Sequence, residues 1–394
     1  MNIDRNTYRL TDGGRYGTVA LGLGIGGLVL SAVGYLVDPA QFFHSYLTAF
    51  VFWLTIGLGG IFFTMLHHLV GARWSVVLRR LAEAIGANTP WMIIFFIPLL
   101  AGMHELYHWT HAEAVASDQL LQAKAPYLNV GFFIVRAVFY FAVWLLLAYG
   151  LYRLSLKQDS GHTEEIRKKM VRLSAPGMIA FAVTITFASF DWLMSLDAHW
   201  YSTIFGVYIF SGALVGILSF MTITAVYLRK KNILAETITV EHYHDLGRLT
   251  FAFTVFWAYM AFSQYFLIWY ANIPEETVWF LHRWEGGWKT LSLVLVLGHF
   301  VIPFFILITR GAKRKPGFLK IIVIWMFLMH LVDLYWVVMP SLHHHGVHLS
   351  WIDPVTVIGI GGIFCWLFWR RLLSQPLVPV GDPGLDESIN ISHG

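Results

Sequence analysis

Long apolar runs alternate with short polar corners from residue 16 to residue 373. Each run is roughly 20 residues or longer and lacks the alternation of a barrel strand, which is the signature of a membrane-spanning helix. Ten spans are predicted: 16–37, 42–70, 90–107, 127–152, 175–194, 201–228, 249–270, 288–309, 318–339 and 354–373. The first is glycine-rich at Gly22, Gly24, Gly26 and Gly27, which permits close helix approach. Residues 74–85, with Arg79 and Arg80, read as an interfacial amphipathic piece. Residues 157–172 read as a basic linker, and the Gly/Pro-rich, acidic stretch 376–394 as a flexible cytoplasmic tail. Between the fifth and sixth spans, FDWLMSLDAHWY is an acidic, aromatic corner of the kind that sits at a membrane face.

Composition agrees. The chain of 394 residues is 57% hydrophobic and only 13% charged, against about 25% charge in ordinary soluble domains. That much apolar surface has no place in a soluble core. The fold class is therefore an all-α polytopic membrane protein. Its single cysteine, Cys365, leaves no disulfide, thiolate zinc site, iron–sulfur cluster or covalent haem motif within this chain. The polar start, MNIDRNTYRLTDGGRYG, carries no cleavable signal pattern, so the first span is expected to act as the insertion signal.

Charge tests the count of spans. With the N-terminus placed in the cytoplasm, all of the 27 Lys and Arg except Lys124, Arg136, Arg283 and Lys289 fall in or beside cytoplasmic segments. A missed or spurious span would scramble this positive-inside pattern. Both termini are expected to be cytoplasmic.

A weak internal repeat adds organisation. HSYLTAFVFWLTIG from His44 and HWYSTIFGVYIFSG from His199 share H-x-Y-x-T-x-F, with Gly57 and Gly212 each eleven residues beyond the tyrosine. Four spans separate the copies, so both enter from the same side. This suggests two parallel four-helix bundles, 42–194 and 201–339, with 16–37 and 354–373 as peripheral helices in a single membrane domain.

Ionisable groups within spans are the candidates for chemistry. His330 and Asp333 lie three apart on one helical face. Asp333 is about 20 Å of helix from Lys320, in the outer half of the bilayer. A carboxyl there needs protein, water or a partner, and the default reading is functional; neutral packing glue is the bland alternative. His299 is deep in the eighth span. Arg136, in the fourth, needs a carboxylate, a carbonyl or a wet cavity, and Asp191 and Asp333 both qualify as the carboxylate. Gln264, with Ser263 and Tyr259, extends a polar file, and Asp191, Asp197, Glu275 and Glu276 supply outer-side carboxylates for a proton path. His67 and His68 close the second span at the inner side, where an ordinary pKa suits exchange with the cytoplasm.

His104-Glu105-Leu106-Tyr107-His108 matches the short H-E-x-x-H pattern of zinc proteases, with His111 three residues on. It sits at a span end without the context of such a site, so hydrolysis is not expected, and a structural metal or a wet outer cap is the favoured reading. The histidines 343–345 and His348 carry a similar, unspecific metal signal. Haem between His299 and His330 is less favoured than a proton relay. No P-loop, dinucleotide fingerprint, serine triad or nucleic-acid module is present in the sequence.

Two stretches, FDWLMSLDAHWYSTIFGVYIF (190–210) and FWAYMAFSQYFLIWYANIPEETVWF (256–280), carry a resemblance. The chain resembles the ActF family, the second large membrane subunits of bacterial alternative complex III, within the wider NrfD/PsrC-like membrane family. The resemblance covers essentially all ten spans. It implies two four-helix bundles with peripheral helices in the cytoplasmic (inner) membrane, beside the paralogous subunit ActC. It also implies partner subunits bearing haem c and iron–sulfur clusters, contact with lipids and with a terminal oxidase, and menaquinol or another quinol as reductant. The chain itself is expected to bind no haem, cluster or metal and to carry no catalytic residue. Its role would be scaffold and proton path, with Asp191, Asp197, Gln264, His299, His330, Asp333, Arg136, His67 and His68 as candidates. Two other readings stay open: a stand-alone proton-coupled transporter and a structural membrane anchor.

Overall fold

A computed structural model describes all residues except 1, 5, 6, 162, 163, 393 and 394. The protein is all-α apart from a short antiparallel pairing of Asn2–Asp4 with Arg9–Asp12. Among the described residues, ten helices are long and apolar enough to cross a membrane: Tyr16–Val37, Pro39–Val70, Val76–Ala101, Val130–Asp159, Glu164–Leu196, Phe205–Lys230, Val240–Ala271, Gly286–Leu307, Pro316–Ser341 and Ile352–Ser374. They are called spans 1 to 10 below.

Local chemistry sets their ends. Span 2 starts where the Asp38 carboxylate accepts the Gln41 N–H at 3.0 Å and Pro39 fills the first helical position, and stops at Gly71 in the left-handed region (φ 60°). Asn129 caps span 4 by accepting the Phe132 N–H at 2.9 Å. Thr239 and His242 form a capping box at the start of span 7.

Spans 2 and 6 form the centre, with 89% and 83% of their most apolar stretches buried, against 28% for spans 1, 7 and 8. Span 2 packs on spans 3, 5, 6, 9 and 10, and span 6 packs on spans 5, 7 and 9 as well. Spans 1 and 10 lie against each other through glycines. A Cβ on Gly27 would sit 2.5 Å from the Gly359 nitrogen, and one on Gly362 would sit 2.4 Å from that of Gly24. Gly22 and Gly26 face open space, so only half of the glycine stripe makes the contact.

Several sequence expectations change here. Residues 74–85 are not an interfacial piece. The helix Val76–Gly86 is buried on every side and forms the first half of span 3, joined through a 3-10 turn at Thr89–Trp91 to Met92–Ala101. Its charges misled the reading, because each of them is answered inside the protein. Most of the basic linker 157–172 is helical, as the end of span 4 and the start of span 5. Residues 376–392 are docked on the chain and do not form a flexible tail. Leu377 and Val378 are fully buried, the Leu377 N–H donates to the Tyr8 carbonyl at 2.9 Å, and the Ser388 hydroxyl donates to the Trp74 carbonyl at 2.7 Å. The two repeat copies also differ locally: His44 and Tyr46 are buried within span 2, whereas His199 and Tyr201 are exposed in the corner before span 6.

Candidate functional site

The core of the molecule holds a polar cluster at the meeting of spans 2, 6, 7, 8 and 9. Asp333, 2% exposed, accepts the Tyr208 hydroxyl on Oδ1 and the Trp257 indole N–H on Oδ2, the latter at 2.9 Å. Both donors are neutral, and no ion pair to Asp333 is present among the described residues. One helical turn away, the His330 ring meets the Thr55 hydroxyl at 3.0 Å through Nε2. The Thr55 proton is committed to the Phe52 carbonyl at 2.8 Å, so Nε2–H is the donor and Nδ1 keeps a lone pair. Nδ1 has no protein partner.

Small residues make room for this pair. A Cβ on Gly212 would lie 2.9 Å from His330 Nδ1 and 3.6 Å from Asp333 Oδ2, so both polar atoms look onto the same point of span 6. A Cβ on Gly216, one turn on, would lie 2.9 Å from the His330 ring. The third ring is His299, fully buried, its centroid 3.8 Å from that of Trp257. His299 sits in a π-helical stretch, Leu295–Val301, and both its ring nitrogens are without a partner. The wide turn loosens the backbone ladder, and the Trp325 indole donates to the Gly298 carbonyl at 2.7 Å. The arrangement is a buried carboxyl held by neutral donors, beside two imidazoles with unused nitrogens. It can hold and exchange a proton, because nothing pins its charge state to a fixed counter-ion.

The Arg136–Asp191 pair is built the opposite way. Arg136 donates from Nε to Asp191 Oδ2 at 2.8 Å and from Nη2 to Oδ1 at 2.9 Å, and Tyr140 adds a bond of 2.7 Å to Oδ2. The guanidinium also donates to the Tyr127 carbonyl at 2.9 Å and lies 3.9 Å over the Tyr127 ring. Both carboxylate oxygens are engaged and the charge is matched by the guanidinium, which is the design of a locked brace.

The remaining candidates are dispersed. Asp197 accepts the His199 N–H at 3.3 Å in the corner and reaches neither buried cluster. Gln264 is buried two turns from Trp257 on one face of span 7 and accepts the Ser202 hydroxyl at 3.1 Å. Tyr259 points away, 62% exposed, and leaves the proposed polar file.

His67 and His68 are not open to the aqueous phase: each is 6% exposed. His67 Nε2 accepts from Arg79 at 3.3 Å, so its Nδ1–H donates to Ser75 at 2.7 Å. Around them lies a buried charged network. Arg79 meets Glu83 at 2.9 Å, Gln158 at 2.9 Å and Asp382 of the docked tail at 2.5 Å, while Arg80 meets Glu83 at 3.1 Å and Asp159 at 2.8 Å. A cavity of about 10 Å³ touches Glu83 and Thr64, and another of about 20 Å³ touches Thr55 and Ser189. Each has room for about one water.

The H-E-x-x-H match does not survive folding as a helical motif. The helix ends at Leu106 and Tyr107 is extended, so His104 and His108 do not share a helical face. His104 instead stacks on His111 at 3.7 Å. Among the described residues no group of three or more His, Cys, Asp and Glu is arranged to hold a metal ion.

No family model matches the chain, and no curated protein matches it. The site is therefore read from its own geometry. Sequence reasoning missed Thr55, Tyr208 and Trp257. Gly212, aligned by the repeat, was the one available hint to where span 6 approaches His330.

Proposed function

We propose that this chain is the second large membrane subunit, of ActF type, of a bacterial alternative complex III, serving as scaffold and proton path. In this reading it lies in the cytoplasmic membrane with both termini inside. Spans 2–5 and 6–9 form the two parallel bundles, and spans 1 and 10 are peripheral. Its partners are the ActC paralogue and the subunits bearing haem c and iron–sulfur clusters, which oxidise menaquinol or another quinol and pass electrons to cytochrome c or a terminal oxidase.

The observation that carries the proton role is the Asp333–His330 cluster, a buried carboxyl with no ion pair among the described residues, held by neutral donors of neighbouring spans. Toward the basic end, a cavity touching Thr64 and Glu83 adjoins the charged network, and a separate cavity with mostly apolar walls touches Thr55. The family identity rests on the resemblance of stretches 190–210 and 256–280. The locked Arg136–Asp191 pair supports the anchor reading for that part of the molecule, as a brace outside the path.

Purification of the tagged chain from its native membrane tests the reading. Co-purified haem-staining subunits and quinol oxidation are expected. Asp333→Asn should abolish quinol-driven acidification while leaving assembly intact. A chain that purifies alone and moves protons unaided points to the transporter; unchanged proton movement in Asp333→Asn leaves only the anchor.

A further inference from the structure

One face of span 2 joins the central cluster to the surface at the end opposite the basic loops. Gln41, Ser45, Thr48, Phe52 and Thr55 recur at spacings of four and three and share that face. At the surface His348 is exposed, and its ring centroid lies 4.9 Å from that of the half-buried His343. His343 Nε2 donates to Gln41 Oε1 at 2.6 Å, and Gln41 Nε2 donates in turn to Asp353 Oδ1 and to the Ser45 hydroxyl, both at 3.0 Å. Ser45 donates to the same Asp353 oxygen at 2.5 Å. Buried Thr48 stands one turn further in. The hydrogen-bonded line thus runs from half-buried His343 through buried Gln41 to Ser45 and Asp353, while Thr48 donates to the His44 carbonyl and only shares the face.

Beyond Ser45 the hydrogen bonds stop, and the face continues inward through Thr48 and Phe52. Thr48 and Thr55 are about 10 Å apart along the helix, and the turn between them presents Phe52. Its ring is 1% exposed and lies 5.6 Å from the His330 ring and 4.9 Å from that of Phe327. Beyond it stands Thr55, the partner of His330.

We propose that Asp353 is the outer mouth of the proton route and that Phe52 is its gate. The proposal rests on the proton-path reading above. The two oxygens of Asp353 divide the work. Oδ2 accepts the Ser350 N–H at 2.9 Å and caps span 10, while Oδ1 faces span 2. Asp38, His44, Tyr335, His343, His344 and His348 are the other ionisable groups of this mouth. In the transfer, the O–H bond of the protonated Asp353 breaks, water carries the proton past a rotated Phe52 ring, and an N–H bond forms at His330. The products are a carboxylate and an imidazolium, and no electron moves. Reversal discharges the site. The mouth replaces the outer entry expected at Asp191, whose carboxylate is ion-paired to Arg136.

The purified complex containing this chain, in lipid vesicles with a pH dye inside and a potassium diffusion potential, reads the route directly. Asp353→Asn keeps a capping oxygen but cannot carry a proton, and should slow proton flux by at least about tenfold. Phe52→Ala should raise flux severalfold, and Asp353→Asn should cancel that gain in the double variant. Wild-type flux in Asp353→Asn, or no gain in a normally folded Phe52→Ala, overturns the proposal. Asp333→Asn separates the two levels. Flux lost in Asp333→Asn but kept in Asp353→Asn discards the mouth alone, whereas flux kept in both discards the proton path itself.

Discussion

Arg136 and Asp191 are joined by two parallel N–H···O bonds of 2.8 and 2.9 Å, with Asp191 fully buried. Removing one partner strands the other charge, which costs about 3–5 kcal/mol. Asp191→Ala and Arg136→Ala should therefore each lower the thermal unfolding temperature of the solubilised protein sharply. The apolar double replacement Arg136→Met with Asp191→Leu should recover most of the loss. Proton flux per folded molecule should stay unchanged in that double variant, because the pair is a brace.

Asp333 is expected to respond differently. Asn at this position still accepts from Tyr208 or Trp257, so folding should survive while proton exchange is lost. Tyr208→Phe removes one of two donors to the carboxyl, at a cost of about 1–3 kcal/mol. Infrared difference spectra should show the Asp333 carboxyl band shifted in Tyr208→Phe and absent in Asp333→Asn. A carboxyl band identical in wild type and Tyr208→Phe would contradict the hydrogen bond.

The ten spans were legible because lipid tolerates only continuous apolar helices, so each crossing leaves a run no other fold needs. Their pairing was not. Whether Arg136 meets Asp191 or Asp333 depends on which helices touch, and apolar stripes in a membrane protein face lipid and neighbours alike. Residues 74–85 were misread for the same reason from the other direction. Arg79, Arg80 and Glu83 look amphipathic in isolation, and only Asp159 of span 4 and Asp382 of the tail, remote in sequence, make their burial affordable. The tail was misread because Pro and Gly signal loops without saying whether the loop is docked. His330 and Asp333 were found by their cost in lipid; Tyr208 and Trp257 were not, since aromatic residues abound and only the fold selects these two.

Glycine spacing gives a test of helix approach. Gly27→Ala places a methyl 2.5 Å from the Gly359 backbone nitrogen, and backbone cannot swing aside. Spans 1 and 10 should part, at a cost of about 1–3 kcal/mol. Gly22→Ala, facing open space, is the control and should leave the unfolding temperature unchanged. Gly212→Ala should instead disturb function, because its methyl meets the His330 ring at 2.9 Å.

The docked tail supplies a pH test whose sign is fixed by its main ion pair. Burial pushes the Asp382 carboxyl up, but the Arg79 guanidinium at 2.5 Å and the Gly384 N–H more than reverse this, and hold it below its ordinary value of 3.8. Its stabilising contribution is therefore complete above that value and disappears only as the pH falls below it. Amide hydrogen exchange of residues 377–391, corrected for intrinsic rates, should stay slow from neutral pH down to about pH 5 and quicken below about pH 4. In Asp382→Asn the tail should already exchange about tenfold or more faster at neutral pH, since Arg79 loses a buried anion. Loosening already between pH 7 and 6 would contradict the assignment of the latch to Asp382.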